Sequence, residues 1–362
     1  MPEPELYVDS EALLTNLLDE LNTVGLIALD TEFVREKTYY PQLCLIQIAA
    51  GDSIACIDCL ADIDLDALYE SLLRDECTWI VHSSRQDLEV IFQHTERLPS
   101  TLIDTQIAAG LVGYAPQISL QDLVADTLGV ELDKSHTRTD WSRRPLPSAA
   151  IEYARDDVRS LHALWDVLAA KLDALGRREW LDQDCALLLA QDPVTPVDQI
   201  FSRLKGARSL DASAQCAALA LVEWREERAR RRDRPRRWIL SDEQLVGIAR
   251  ARPRSVAALA AEDVPKKLAE HAGHDILAAL ERSATSDYPA RIARLSDAEK
   301  PEKHQLRELQ ARAKARAAEL DIYPEVLATK QDLIVLLLGR ESVRVSETWR
   351  AAELRPLLEG LE

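Results

Sequence analysis

Asp30 and Glu32 close the stretch LIALDTEF, and their setting is costly. Leu26 to Leu29 read as a buried strand, so carboxylates two positions apart lie on one face of it. Like charges crowded at the end of a buried strand repel each other and resist desolvation, so the pair requires a compensating cation. Two further acids have settings that let them join. Asp87, in HSSRQDLEV, falls in the first turns of a helix that follows a buried strand, and Asp157, in YARDD, follows Tyr153 by four residues on a long helix, hence on the same face. Four carboxylates on one cleft could hold two divalent ions with a phosphodiester between them, the arrangement for in-line hydrolysis. Oxygen-only ligands favour Mg²⁺ or Mn²⁺ over zinc.

Each residue alone has a plainer reading. Asp-x-Glu after a strand is commonly a solvated strand end, Asp87 a helix N-terminal acid stabilised by the macrodipole, Tyr153 a half-buried helix residue and Asp157 a surface acid beside Asp156. Their occurrence together, in order, favours the site.

The surrounding pattern supplies elements to carry them. A helix at 11–22 leads into the opening strand; after the polar turn VREKTYYPQ come strands at 43–50 and 52–58, an antiparallel meander. A helix (65–73), a buried strand (78–81), a helix (86–93) and a short strand (101–103) follow. The order β-β-β-α-β-α-β predicts a mixed sheet flanked by helices. From Thr105 the chain reads as helical, with Ser119 and Gly129 as cap and stop of one helix and Ser148 opening a long one through about residue 172. Residues 130–147 read as an exposed basic loop.

The 362 residues, 47% of them hydrophobic, allow two or three domains with real cores. No apolar run approaches the roughly 20 residues of a membrane span, and the N-terminus carries acids where a signal peptide carries Lys or Arg, so a cytoplasmic monomer is expected. Six dispersed cysteines suit reduced thiols; the Cys56/Cys59 pair has CxxC spacing but no second pair, and His271 and His274 lack partners, which argues against zinc. The net charge of −18 opposes nucleic-acid binding at face value. It is unevenly spread: residues 1–200 carry 36 Asp and Glu against 14 Lys and Arg, whereas 201–280 carry 11 against 16. In that second stretch eight arginines run from Arg225 to Arg237 between Trp224 and Trp238, charge for phosphates beside stacking surfaces or, on the plainer reading, a solvated face.

With Asp30-Thr31-Glu32, Asp87 in HSSRQDLEV, and Tyr153 with Asp157 in YARDD in order, the chain resembles the ribonuclease D family of the DEDD exonuclease superfamily. IDTQIAAGL and LDKSHTRTDWSRRPL resemble it too. The resemblance implies a ribonuclease H-like exonuclease domain over 1–195, with removal of 3′-terminal nucleotides as 5′-monophosphates. It implies that Asp30, Glu32 and Asp157 hold the metal that carries the attacking water, with Asp30 bridging to a second metal that Asp87 supports through water. The superfamily divides on whether Tyr or His precedes the last Asp, and Tyr153 places the chain in the Tyr branch. With an ordinary pKa near 10, about one phenol in a thousand is ionised at pH 7, so Tyr153 is expected to orient the water rather than deprotonate it. Asp104 and His82 are expected to support the site from outside it.

After a linker at 196–209, residues 210–285 resemble an HRDC domain, a nucleic-acid-binding module, and 286–362 resemble a further HRDC-like helical module more loosely. The expected nucleic-acid contacts are Trp224, Arg225, Arg228, Arg231, Arg232, Arg234, Arg236, Arg237 and Trp238, with Lys134 and Arg138 in the basic loop contacting phosphates or standing as solvated charges. The expected partner is RNA, tRNA precursors above all. A DNA exonuclease of the same superfamily and a binding scaffold with an inactive nuclease domain are the alternatives, because four acids do not by themselves recognise a 2′-hydroxyl.

Overall fold

The computed structural model describes residues 5–51, 53–132, 139–262, 264–285, 287–296 and 301–361. It divides into two compact units: 1–34, 42–193 and 300–362 form one, and 35–41 with 194–299 form the other.

The first unit is built on a six-stranded mixed sheet. Its elements in chain order are β1 (Glu5–Val8), α1 (Glu11–Leu21), β2 (Leu26–Val34), β3 (Gln42–Ala50), β4 (Ser53–Asp58), α2 (Asp66–Leu72), β5 (Thr78–Val81), α3 (Arg85–Thr95) and β6 (Thr101–Asp104). The strand order is β1-β4-β3-β2-β5-β6. β2, β3 and β4 form the expected antiparallel meander, while β1 runs parallel to β4, and β5 parallel to both β2 and β6. β2 therefore sits inside the sheet with a hydrogen-bonded neighbour on each side. Period-two alternation sends Ile27 and Leu29 into a core with α1, α2 and α3, and Ala28 into the opposite core. Asp30 and Glu32 continue the Ala28 face. A bulge between Glu32 and Phe33 shifts the register there, and pairing resumes with Phe33 opposite Leu43 and Val34 opposite Gln42.

The opposite face is covered by α4 (Thr105–Leu111), α5 (Leu120–Leu128), α6 (Ser148–Arg159), α7 (Leu161–Ala174) and α8 (Arg178–Leu189). Ser119 and Gly129 cap α5 as expected, the glycine at φ +70°. The long helix expected from Ser148 is two helices, parted at Ser160. α6 presents Ala150 and Ala154, both fully buried, to the sheet, and such small side chains let the helix backbone come close to the strands that carry the acids.

The second unit comprises α9 (Val197–Ser202), α10 (Ala212–Arg232), α11 (Arg236–Ile239), α12 (Asp242–Ala251), α13 (Val256–Ala261), α14 (Lys266–Thr285) and α15 (Tyr288–Ser296). The 21-residue α10 runs through its core and is buried on most of its circumference. Residues 35–41, read from the sequence as a turn of the catalytic sheet, pack within this unit: the Tyr39 and Tyr40 N–H groups donate to Asp233, and the Tyr39 hydroxyl donates to Glu226 at 3.1 Å. Residues 196–209, expected as a linker, contain α9 and a short 3-10 turn that belong to the same core.

The last helices are α16 (Lys303–Glu319), α17 (Pro324–Leu327), α18 (Lys330–Leu337), α19 (Val343–Ser346) and α20 (Arg350–Leu354). The sequence suggested one helical module over 286–362. Instead α15 packs in the second unit, and α16 to α20 pack against α4, α7 and α8, where Leu309, Ala313, Leu327 and Leu354 share a core with Leu164, Leu168 and Leu181. No one of these short amphipathic helices can bury its apolar side alone, so the larger domain supplies the missing face. Arg350, buried, forks onto Asp184 through both Nη atoms, with Nη2 to Oδ2 at 2.8 Å, and Trp349 stacks on Trp180 at 4.0 Å. Arg177 donates to the carbonyls of Leu111 and Leu320 at 2.6 and 2.5 Å. No helix among the described residues is long and apolar enough to cross a membrane.

Removing one partner of a buried ion pair strands the other charge, at a cost of about 3–5 kcal/mol. Arg350→Ala is thus expected to destabilise the first unit by about that amount in urea denaturation, and Asp184→Leu combined with Arg350→Met to recover most of it. Equal stability of Arg350→Ala and wild type would show that the C-terminal helices do not brace this unit.

Candidate active site

The acids converge from three elements. Asp30 and Glu32 project from β2, and Asp157 reaches them from α6. One carboxylate oxygen from each of the three lies within 4.8 Å of the others. Tyr153, one turn before Asp157, donates its hydroxyl to that carboxylate and packs near Trp141, with ring centroids 6.4 Å apart.

Asp87 enters from the other face of β2. Thr31, between the two acids, points towards α3, and its Oγ1 donates to Asp87 Oδ1 at 2.5 Å. The start of α3 is held by Asp104, which accepts from the backbone N–H of Ser83 and Ser84 and from the Ser84 hydroxyl, and also caps α4 through the N–H groups of Gln106 and Ile107. Ser83 takes a left-handed φ of 62° in this turn, which those hydrogen bonds enforce. His82 bonds Thr105 and the Ile118 carbonyl and is part of the packing, not of the cluster.

The electrostatics fit a cation site. Burial, followed by the charges of Asp87, Asp157 and Glu32, holds the Asp30 carboxyl well above the usual range. Burial and the Asp157 and Asp87 charges push Glu32 up to about 8. Asp87 is pushed up to about 7 by burial, against the opposing hydrogen bond from Thr31, and Asp157 to about 7 by burial and then by Asp156. Burial and then the Asp157, Glu32 and Asp30 charges raise the Tyr153 phenol, so it stays protonated at neutral pH. Among the described residues none of the four acids forms an ion pair with Lys, Arg or His. The oxygen spacing matches ligands around a single hard cation at about 2.0–2.6 Å per bond. The residues therefore fit divalent metal, and no other His, Cys, Asp or Glu group among the described residues gathers in this way.

The expected nucleic-acid contacts separate into two sets. Trp224, Arg225 and Arg228 are buried, contrary to a role on an open binding face. Arg225, 1% exposed, donates to Asp242 at 2.7 Å and to the Leu240 carbonyl, and Arg228 donates to Asp275 at 3.3 Å with its guanidinium over the Trp224 ring. Helix-opposed acids from α12 and α14, far away in sequence, make their burial affordable. Arg236 is half-buried on Glu226. Arg231, Arg232, Arg234, Arg237 and Trp238 are exposed, Trp238 at 61%, and among these Arg237 also pairs with Asp242 at 3.0 Å. Lys134 and Arg138 lie outside the described residues. All six cysteines are free, and His271 bonds a carbonyl of its own helix. Thr31 was passed over in the sequence, although its place between two acids on a strand puts it on the α3 side.

A 3′–5′ exonuclease family matches residues 6–173, and the HRDC domain family matches 217–280. The chain is similar to the ribonuclease D of Xanthomonas oryzae pv. oryzae, 37% identical over 93% of this chain and 94% of that one. It is 34% identical to the ribonuclease D of Gluconacetobacter diazotrophicus, over 96% and 90% of the two chains. Among solved structures it is similar to Escherichia coli RNase D, described as an exoribonuclease involved in structured RNA processing, with a TM-score of 0.84, 26% identity and coverage of 98% and 97%. The catalytic core of RRP6 from Trypanosoma brucei shares the fold at a TM-score of 0.58 and 23% identity, over 78% of this chain and 80% of that one.

Carboxyls that hold protons more tightly folded than unfolded make stability fall as pH rises through their folded values. In EDTA the melting temperature is accordingly expected to drop from about pH 5, just above the unfolded carboxyl range near 4, to about pH 8, where the folded carboxyls of Asp87, Asp157 and Glu32 have lost their protons. Asp30→Asn should flatten that decline and melt about 2–4 °C higher at pH 8 for each ~1 kcal/mol of repulsion removed. A melting temperature that climbs across this window, or no effect of Asp30→Asn on it, would contradict the account of the cluster.

Proposed function

The chain belongs to the ribonuclease D family and is a hydrolytic 3′–5′ exoribonuclease; we propose that Asp30, Glu32, Asp87, Asp157 and Tyr153 carry that activity and that tRNA precursors and other structured RNAs are its substrates. The observation that carries the assignment of residues is the convergence of three carboxylates within 4.8 Å, beside a fourth, with no basic side chain among the described residues to neutralise them.

In this reading Asp30, Glu32 and Asp157 would hold divalent metal, Mg²⁺ or Mn²⁺, and Asp87 would support the metal site from beside them. Divalent ions lower the pKa of bound water and neutralise charge developing on the phosphate. The chain's own side chains supply position. Tyr153, kept protonated by burial and by its acidic neighbours, donates its hydroxyl to Asp157, and the same oxygen would accept from the attacking water and hold it in line with the scissile bond. Cleavage breaks the bond from phosphorus to the 3′-oxygen of the preceding nucleotide, which departs as a hydroxyl, and releases a nucleoside 5′-monophosphate. Tyr153→Phe should retain the fold and lose turnover through misplacement of the water.

RNA is held, on this proposal, by the exposed set Arg231, Arg232, Arg234, Arg237 and Trp238, a compact source of positive charge beside a stacking surface in an otherwise acidic chain. The buried Trp224, Arg225 and Arg228 keep that helix in place. DNA is the competing substrate, since the acids alone do not read a 2′-hydroxyl.

End-labelled tRNA precursors and matched single-stranded DNA, digested with Mg²⁺, with Mn²⁺ and with EDTA, test the reading. Stepwise mononucleotide release from RNA in either metal and none in EDTA is expected, with Asp30→Asn slower by about a thousandfold or more, a loss of ~4 kcal/mol of transition-state stabilisation. Equal rates on DNA would defeat the RNA assignment, and metal-independent release would defeat the site. Replacing Arg231, Arg232 and Arg234 by Ala should flatten the salt dependence of RNA binding; an unchanged slope would make those arginines a solvated face.

A further inference from the structure

Gln47 is a buried amide with nothing to bond. It lies on β3, is 0% exposed, and neither its Nε2 nor its Oε1 has a hydrogen-bond partner. An unsatisfied buried amide costs about 1–3 kcal/mol, and both ends are unsatisfied here. An apolar residue would serve packing better, and the sequence around it, LCLIQIAA, is otherwise apolar. The cost therefore points to a partner that arrives later.

The position of Gln47 in the sheet says what that partner is. It is the direct cross-strand neighbour of Asp30, and directly opposed residues of an antiparallel pair share a face with Cβ atoms about 4.5–5.5 Å apart. Its neighbours on that strand face, Leu45 and Ala49, oppose Glu32 and Ala28, so the amide stands in the row that carries both acids of β2. On its other flank is Cys56 of β4, and α6, which brings Asp157, covers the same face. Asp30 itself accepts a hydrogen bond from the Thr31 backbone N–H, leaving acceptor capacity on its carboxylate.

We propose that Gln47 is a positioning residue of the metal site, its Nε2 the donor that orients the Asp30 carboxylate and its Oε1 the acceptor for a water in the cluster. It touches neither substrate nor the reacting atoms in this role; it fixes the direction in which Asp30 offers its oxygens. Groups that orient metal ligands commonly set metal affinity by 10- to 100-fold. The inference rests on the metal-site reading above, and the two fail in different ways.

The test is Mn²⁺ titration by calorimetry on the full chain, wild type against Gln47→Met and Gln47→Leu, with melting temperatures in EDTA measured alongside. Both substitutions replace the amide with an apolar chain of similar volume. The expected result is Mn²⁺ affinity about 10- to 100-fold weaker in both variants, with metal-free melting temperatures at or above that of wild type. A variant that binds Mn²⁺ within twofold of wild type would overturn the proposal while leaving the metal site standing. Variants that melt below wild type in EDTA would overturn it too, by showing that the amide serves the fold without the metal. Failure of wild type to bind Mn²⁺ would overturn both readings.

Discussion

Carboxylates that repel one another are held together at the end of a buried strand, and the rest of the catalytic unit exists around that repulsion. Burial takes water away from Asp30, Glu32, Asp87 and Asp157 and raises the proton affinity of each, and the charges of the neighbouring acids in the cluster raise Asp30 and Glu32 further. A fold optimised for stability alone would place an arginine among them or exchange them for apolar residues. This chain does neither. It has 44 Lys and Arg, and among the described residues it spends none of them on these acids.

Holding such a cluster takes rigid elements on all sides. β2 is paired on both edges, so its pleat fixes which side chains face α6, and the bulge after Glu32 shifts the register directly beside the acids. α6 is brought onto the sheet through alanines, which sets Asp157 and Tyr153 close to the strand. On the other face Thr31 ties Asp87 to β2, and Asp104 organises the turn from which α3 starts. Behind α4 and α8, the final helices add a second buried framework through Arg350 and Asp184. On the proposed reading, divalent cations would reverse the charge of the acid cluster in the nuclease half and so let it take an anionic polymer, while the exposed arginines of the helical unit would add positive charge.

Much of this was legible because local rules suffice for it. The pair Asp30 and Glu32 after an apolar run, Asp87 at a helix start, and Tyr153 four residues before Asp157 follow from periods of two and 3.6, and the meander follows from short polar connectors. What escaped depends on partners distant in sequence. β1 is only the four residues Glu5–Val8 and exists by pairing with β4. The break at Ser160 leaves the amphipathic pattern of Ser148 to Leu172 continuous and cannot be seen in it. Arg225 and Arg228 read as part of a charged surface because the acids that neutralise them, Asp242 and Asp275, come 17 and 47 residues later. The C-terminal helices are amphipathic whichever body they cover, and only the assembled core tells which it is.

On the proposed reading, this cluster of acids is built for divalent cations and not for protons alone. Anomalous diffraction from crystals soaked in Mn²⁺ examines it directly. The account predicts an anomalous peak bonded to carboxylate oxygens of Asp30, Glu32 and Asp157, at about 2.1–2.3 Å for a hard cation with oxygen ligands. Manganese bound elsewhere on the acidic surface, with that cluster left empty, would contradict it.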